Sequence, residues 1–252
     1  KTYDGNPLTP EDFDILISGT DHSIYSNSLI FTYKRNGVEI THAETATVGV
    51  YTVEVKINDP IYYGSKQFVY VINKINVTDS ISYEGETTVF GSVVAPTISF
   101  GGYNITESDY QISYRRITSS NFDYALPLTA GQFVARVVVS SANYEGTITF
   151  LYTIEKAEVE IFCDNMVQNY GAVVSPMPLF STNIGEGNYV ITYDGSLVMP
   201  IDAGNYQAKI TIEHSNFKGE RTISFIINKA VSQLDVAPVL SDLRFGQGLV
   251  DI

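Results

Sequence analysis

The sequence predicts an all-β chain built of consecutive, similar domains, and three observations carry that prediction. A glycine-to-glycine-to-lysine spacing occurs three times without insertion, and apolar residues inside it alternate with period two. No stretch longer than about ten residues keeps the i, i+3, i+4, i+7 apolar spacing of an amphipathic helix.

The spacing starts from three Gly-x-aromatic triplets, Gly49-Val50-Tyr51, Gly131-Gln132-Phe133 and Gly204-Asn205-Tyr206. A second glycine follows each first one at fifteen residues (Gly64, Gly146, Gly219), with Tyr62, Tyr144 or Phe217 two positions before it. Ten residues further stand Lys74, Lys156 and Lys229. Within the unit, Tyr51, Val53, Val55 and Ile57 alternate with polar residues, as do Phe133, Ala135, Val137 and Val139, and Tyr206, Ala208, Ile210 and Ile212. Successive side chains of a strand point to opposite sides, so each run predicts a strand with one buried face. Phe68, Tyr70 and Ile72, with Phe150, Tyr152, Ile154 and Ile223, Phe225, Ile227, predict a second strand after the second glycine. The Asn and Gly of the connection are expected to supply positive φ in a hairpin turn.

Upstream of each hairpin a β-branched and aromatic run ends in tyrosine, at 29–33, 110–114 and 189–193, and predicts a further strand. Aromatic-Gly pairs with a proline five residues after the glycine, Phe90-Gly91 with Pro96 and Tyr170-Gly171 with Pro176, open the second and third copies. Tyr3-Asp4-Gly5 with Pro10 is their looser counterpart, and Phe245-Gly246 starts the element again. Residues 10–18 are expected to make one or two helical turns, with Thr9 as N-cap and Pro10 at the first position.

Domain edges follow from the lysines. Residues 1–74 are a first domain lacking its opening strand, 75–156 a second with longer loops, 157–229 a third, and 230–252 the truncated start of a fourth. The distance from Lys74 to Lys156 is 82 residues and from Lys156 to Lys229 is 73, with most of the excess between Tyr114 and Gly131. The junctions Lys74-Ile75-Asn76-Val77, Lys156-Ala157-Glu158-Val159 and Lys229-Ala230-Val231 carry no Gly, Pro or Ser run, so the reading is an extended rod with little bending. Because Lys1 to Gly5 reads as the interior of a repeat, a longer parent chain is expected.

Composition narrows function. Apolar residues are 44% of 252, with 18 Tyr and 13 Phe, enough for buried cores. The net charge of −13 repels phosphate backbones and anionic headgroups, so no nucleic-acid partner is expected. No run reaches the roughly 18 apolar residues of a membrane-spanning helix, so no direct insertion of this segment is expected. The single cysteine, Cys163, cannot form an internal disulfide and reads as a small packing residue.

The aromatic-Gly opening, Asp109-Tyr110 and Asn188-Tyr189, Ala130-Gly131-Gln132-Phe133 and Ala203-Gly204-Asn205-Tyr206, Asn143-Tyr144-Glu145-Gly146 and Asn216-Phe217-Lys218-Gly219, and Lys229-Ala230 together resemble the MBG and YDG-type repeats of bacterial surface proteins. The first copy departs from the pattern, with Val48 in place of the alanine and Asp59-Pro60-Ile61-Tyr62 in place of Asn-aromatic. The resemblance implies a tandem array of small Ig-like β-sandwich domains on large extracellular, adhesin-like proteins, and it supplies no catalytic residues. A β-grasp-like arrangement, in which a short helix crosses the sheet, stands as the alternative fold.

His22, His42 and His214 occupy unrelated contexts, and neither a Gly-x-Ser-x-Gly elbow nor a metal-ligand spacing is present, so an enzyme and a cofactor are not expected. Calcium is retained only through Asp79, Glu84 and Glu86 near the first junction, which read first as solvated carboxylates. The candidate partner contacts lie in the loops of the second domain: Arg115, Arg116, Phe122 and Tyr124 in one, Tyr103 in another. Three functions result. The first is a non-catalytic spacer or stalk of a cell-surface protein, whose partners are its own neighbouring repeats. The second is direct binding of a host glycan or surface protein through the second domain's loops. The third is self-assembly into a surface filament or lattice through exposed strand edges.

Overall fold

The computed structural model describes residues 1–18 and 28–233. The predicted fourth repeat falls mainly on 234–252, with Phe245-Gly246, and like His22 these residues lie outside the described part. The chain divides into two compact units, Lys1–Glu155 and Lys156–Ile252.

In the first unit, β1 (Leu29–Arg35), β2 (Val38–Ile40), β3 (Gly49–Ile57) and β4 (Ser65–Ile72) form an antiparallel sheet in the order β2-β1-β3-β4. The same unit continues with β5 (Ile75–Asn76), β6 (Ser82–Glu84), β7 (Thr87–Val89), β8 (Thr97–Ser99), β9 (Tyr110–Arg116), β10 (Gly131–Ser140) and β11 (Tyr144–Glu155). Its second sheet runs β5-β11-β10-β9, and β7 also pairs with β11. The second unit contains β12 (Ala157–Glu158), β13 (Ile161–Phe162), β14 (Met166–Asn169), β15 (Leu179–Phe180), β16 (Tyr189–Tyr193), β17 (Gly204–Ile212), β18 (Phe217–Lys218) and β19 (Glu220–Asn228), with a main sheet β14-β19-β17-β16.

The three repeats share one register. Gly49 pairs with Ile72, Gly131 with Ile154 and Gly204 with Ile227. On the other side of the same strand Tyr33 pairs with Val53, Tyr114 with Ala135 and Tyr193 with Ala208. The predicted inward positions form the cores. Tyr51 and Val53, Ala135 and Val137, and Ala208 and Ile210 are all fully buried. Tyr152 and Phe225 are fully buried opposite them, and burying such a ring contributes roughly 1.5–3 kcal/mol.

A first strand shared between two layers defines the sandwich. In the second repeat β6 pairs antiparallel with β8, while β7 pairs parallel with β11. In the second unit β13 pairs with β15 and β14 runs parallel to β19. Tyr83 of the one layer stacks on Phe150 of the other with ring centroids 3.9 Å apart. The aromatic-Gly opening makes the same bond in all three copies: the Tyr3, Phe90 and Tyr170 amides donate to the Asn73, Glu155 and Asn228 carbonyls at 2.9, 2.9 and 2.8 Å. This arrangement is an Ig-like, all-β sandwich. The β-grasp alternative requires a crossing helix, and no α-helix is present among the described residues.

Two local expectations are corrected. Pro10–Asp12 is a single 3₁₀ turn with Thr9 as its N-cap and Pro10 first, as predicted; Asp12 accepts the Thr9 amide at 2.8 Å, and the chain is extended by Phe13. Gly146 and Gly219 are not turn residues with positive φ. Gly146 lies inside β11, and Gly219 sits between β18 and β19. What they accommodate is a crossing backbone: a β-carbon at 146 would stand 3.0 Å from the Thr78 amide nitrogen, and one at 219 would stand 2.5 Å from the Val159 carbonyl oxygen. Hairpin periodicity hid this requirement, because the crossing strand comes from the junction about 60 to 70 residues earlier in the chain.

Candidate interaction surface

The junctions are strands rather than linkers. β5 adds in parallel to the start of β11, with the Ile75 and Val77 amides donating to the Asn143 and Glu145 carbonyls at 2.9 and 2.8 Å. β12 adds to β18 in the same way, Ala157 and Val159 donating to the Asn216 and Lys218 carbonyls at 2.9 Å each. The repeated lysine completes each junction. Lys74 Nζ donates to the Ser141 carbonyl at 2.6 Å and Lys156 Nζ to the His214 carbonyl at 2.8 Å, and each acceptor lies five residues before the second glycine. Val77 and Val159 are buried beneath these bonds.

The longer loop of the second repeat is tied back onto its own sheet. Tyr114 and Asp123 exchange backbone hydrogen bonds at 2.7 and 2.8 Å, which covers the outer edge of β9. Tyr193 and Ser196 do the same in the third repeat, and Tyr33 pairs with Ile40 in the first, so one edge is protected in each copy. Inside the loop, the Arg115 guanidinium donates to the Ser119 carbonyl at 2.7 Å and lies 5.3 Å from the Phe122 ring centre. Arg136, on the outward face of β10, covers the same ring at 4.0 Å. Phe122 is thus held by two guanidinium groups.

Arg116 has a different environment. Its guanidinium donates to the Thr129 hydroxyl at 2.8 Å, lies 5.1 Å from the Phe133 ring centre and covers Gly131. Arg35 covers Gly49 and Tyr51 in the same way in the first repeat. In the third, where Gly195 takes the place of that arginine two residues after the tyrosine, the Tyr206 ring itself folds over Gly204 and its hydroxyl donates to the Asp202 carbonyl at 3.0 Å. Tyr124, in the same loop as Phe122, is 67% exposed. Tyr103 does not join it. Its ring meets Tyr144 edge-on at 5.5 Å, by the junction strand, while Arg116 pairs with Phe133 near the other end of β10, roughly 20 Å away along a strand.

Two residues of this surface escaped sequence reading. Arg136 was hidden because one charged residue on the outward face of an alternating strand looks like ordinary solvation, and Tyr144 because it reads as part of a turn. The remaining polar groups serve packing. His42 Nε2 lies 2.6 Å from the Leu8 carbonyl, and His214 Nδ1 accepts the Asn216 amide at 3.0 Å. Burial raises the pKa of the Cys163 thiol, which packs among core residues of the third repeat. Among the described residues no three His, Cys, Asp or Glu side chains gather closely enough to hold a metal ion. None of their helices is long and apolar enough to cross a membrane.

Residues 165–231 match the family model of the MBG domain. The MBG-matched segment takes in β14 to β19 and ends just beyond the Lys229 junction. No curated protein matches the chain. Among solved structures, it is similar to the three N-terminal domains of the bacteriophage RB49 highly immunogenic outer capsid protein, at 11% identity over 85% of this chain and 92% of that one, with a TM-score of 0.33. It is also similar to the N-terminal four Ig domains of Dscam1 isoform 6.44, at 8% identity over 71% and 54% of the two chains and a TM-score of 0.27. Domains 7, 8 and 9 of the S-layer protein SbsC align at 12% identity over 78% and 75%, with a TM-score of 0.19.

Proposed function

We propose that this chain is a non-catalytic spacer segment of a bacterial cell-surface, adhesin-like repeat protein, in which successive MBG-type sandwiches hold a binding region away from the cell. The observation that carries the reading is the Lys74–Val77 junction. Between the last residue of β4, Ile72, and the amide of Ile75 bonded to the next repeat there are only two residues, Asn73 and Lys74, and both are themselves bonded. A junction without free residues favours stiffness over flexible tethering. The MBG match of the third repeat supports a surface repeat protein.

Small-angle scattering of the full chain and of a chain lacking 157–229 tests this reading. The spacer function expects the maximum dimension to shorten by about 30 Å, the length of a strand of eight residues at ~3.3 Å each with its loops. An unchanged dimension would mean that the repeats fold back on one another and do not act as a spacer.

A second reading is favoured by one feature, the exposed Tyr124 in the same loop as Phe122, whose ring Arg115 and Arg136 cover, in a chain of net charge −13. Among the described residues neither arginine forms an ion pair. An acidic glycan or acidic protein surface would suit it. A glycan array whose signal is lost in Tyr124→Ser would support this binding function over a purely structural one.

A further inference from the structure

Arg136 occupies a position whose charge the other two repeats engage within their own sheet. Counted from the first glycine of each unit, Glu54, Arg136 and Lys209 stand at the same place, five residues on, and alternation turns all three outward from the middle strand. In the first repeat Gln67 Nε2 donates to the Glu54 carboxylate at 3.2 Å, and in the third Lys209 is paired with Glu220 at 2.7 Å. The residues of β11 equivalent to Gln67 and Glu220 are Thr149 and Thr147. Neither carries a charge.

The Arg136 guanidinium is held in place yet keeps donors to spare. Its Nε donates at 3.3 Å to the hydroxyl of Ser113, which is 2% exposed, and the group lies over the Phe122 ring at 4.0 Å. Among the described residues its two terminal amino groups donate to no acceptor of the chain, and no carboxylate pairs with them. The outward residues that flank it are Val134, Val138, Thr147, Thr149 and Leu151, of which the last three are exposed. They make a strip of hydroxyl and methyl groups, free of carboxylates, in a chain of net charge −13.

We infer that the outer face of β10 and β11 around Arg136 binds a carboxylated polysaccharide, with the guanidinium taking a uronate carboxylate and Thr147, Thr149 and Leu151 lying under the sugar rings. A guanidinium offers a carboxylate two parallel bonds, and one already fixed by Ser113 and Phe122 loses little freedom on making them. Five residues along a strand at ~3.3 Å each, over three strands ~4.8 Å apart, give a face of roughly 200 Å². Each partner of a standard protein complex buries about 800 Å², so a sugar chain suits this face better than a protein surface. The acidity of the rest of the chain is screened beyond about 8 Å at physiological salt, which leaves the local cation to decide. The inference rests on the binding reading of the second repeat and names its ligand class and contact face.

The test is nuclear magnetic resonance titration of the full chain with a hexamer of galacturonic acid and with its methyl ester. The acid is expected to shift the Arg136 Nε–H signal and the amides of Thr147 to Leu151, and the ester to bind about tenfold more weakly, as loss of one charge-assisted contact predicts. Thr147→Glu installs the carboxylate that the third repeat has at this place, and it should abolish the shifts without lowering the thermal midpoint. No binding, equal binding of acid and ester, or shifts that survive Thr147→Glu would overturn the assignment. Binding lost in Tyr124→Ser but kept in Thr147→Glu would overturn this face while sparing the binding reading. Tighter binding of polyglutamate than of the hexamer would show an acidic protein as the ligand and overturn the assignment too.

Discussion

Gly219 lies directly beneath the carbonyl of Val159, so close that a β-carbon there would stand 2.5 Å from the oxygen. A junction strand and a hairpin therefore meet through backbone alone. Gly219→Ala must push β12 away from β18, at a cost of about 1–3 kcal/mol. Gly146→Ala meets the Thr78 nitrogen at 3.0 Å and should cost less, about 1 kcal/mol. Urea unfolding of both variants measures the order, and a neutral Gly219→Ala would contradict this geometry.

The repeated lysines are expected to contribute unequally. Lys74 Nζ is part-buried against the Ser141 carbonyl, whereas Lys156 is exposed at His214. Lys74→Met should lower stability by about 1–2 kcal/mol and Lys156→Met by less than about 1 kcal/mol. Equal losses would mean that burial of the ammonium does not set the strength of these hydrogen bonds.

In the second-repeat loop Phe122 and Tyr124 separate by role. Phe122→Ser removes a ring held between Arg115 and Arg136 and should cost about 1–2 kcal/mol. Tyr124→Ser touches an exposed ring and should stay within about 0.5 kcal/mol. Thermal denaturation of the two variants distinguishes them, and the stable Tyr124→Ser is then the suitable reagent for binding assays.

Alkaline pH should unfold the second repeat progressively. Burial, with smaller contributions from Tyr152 and Tyr110, pushes the Tyr114 hydroxyl up to about 12. The unfolded chain loses that proton near pH 10 while the folded chain keeps it, so this stability is complete below about pH 10 and is lost as pH rises towards 12. Tyr114→Phe should flatten the fall of the thermal midpoint over that range. Tyr110 and Tyr152 of the same repeat shift in the same direction, so part of the slope should remain.

The sequence revealed whatever depends on period and fixed loop length. Tyr51, Val53 and Val55 announce a buried strand face by alternation, and the fifteen residues from Gly49 to Gly64 set a hairpin whose register recurs in every copy. Contacts made by backbone between distant segments left no such trace. The parallel addition of Ile75 to Tyr144 needs no particular side chain, and Gly146 looks like any turn glycine until the strand crossing it is known. The candidate contacts divided for a similar reason. Sequence proximity grouped Arg116 with Arg115, but strand alternation turns one towards Phe133 and the other towards Phe122, while Tyr103 belongs to the junction end.

The parallel pairing of β14 with β19 has a mechanical meaning. The two strands are bonded from Met166 opposite Phe225 to Asn169 opposite Asn228, so the chain enters one strand and leaves the other at opposite ends of the pair. Tension applied along the chain slides these strands past each other and loads their bonds simultaneously, whereas a hairpin pulled from its open end would unzip bond by bond. The third repeat is built to resist shear.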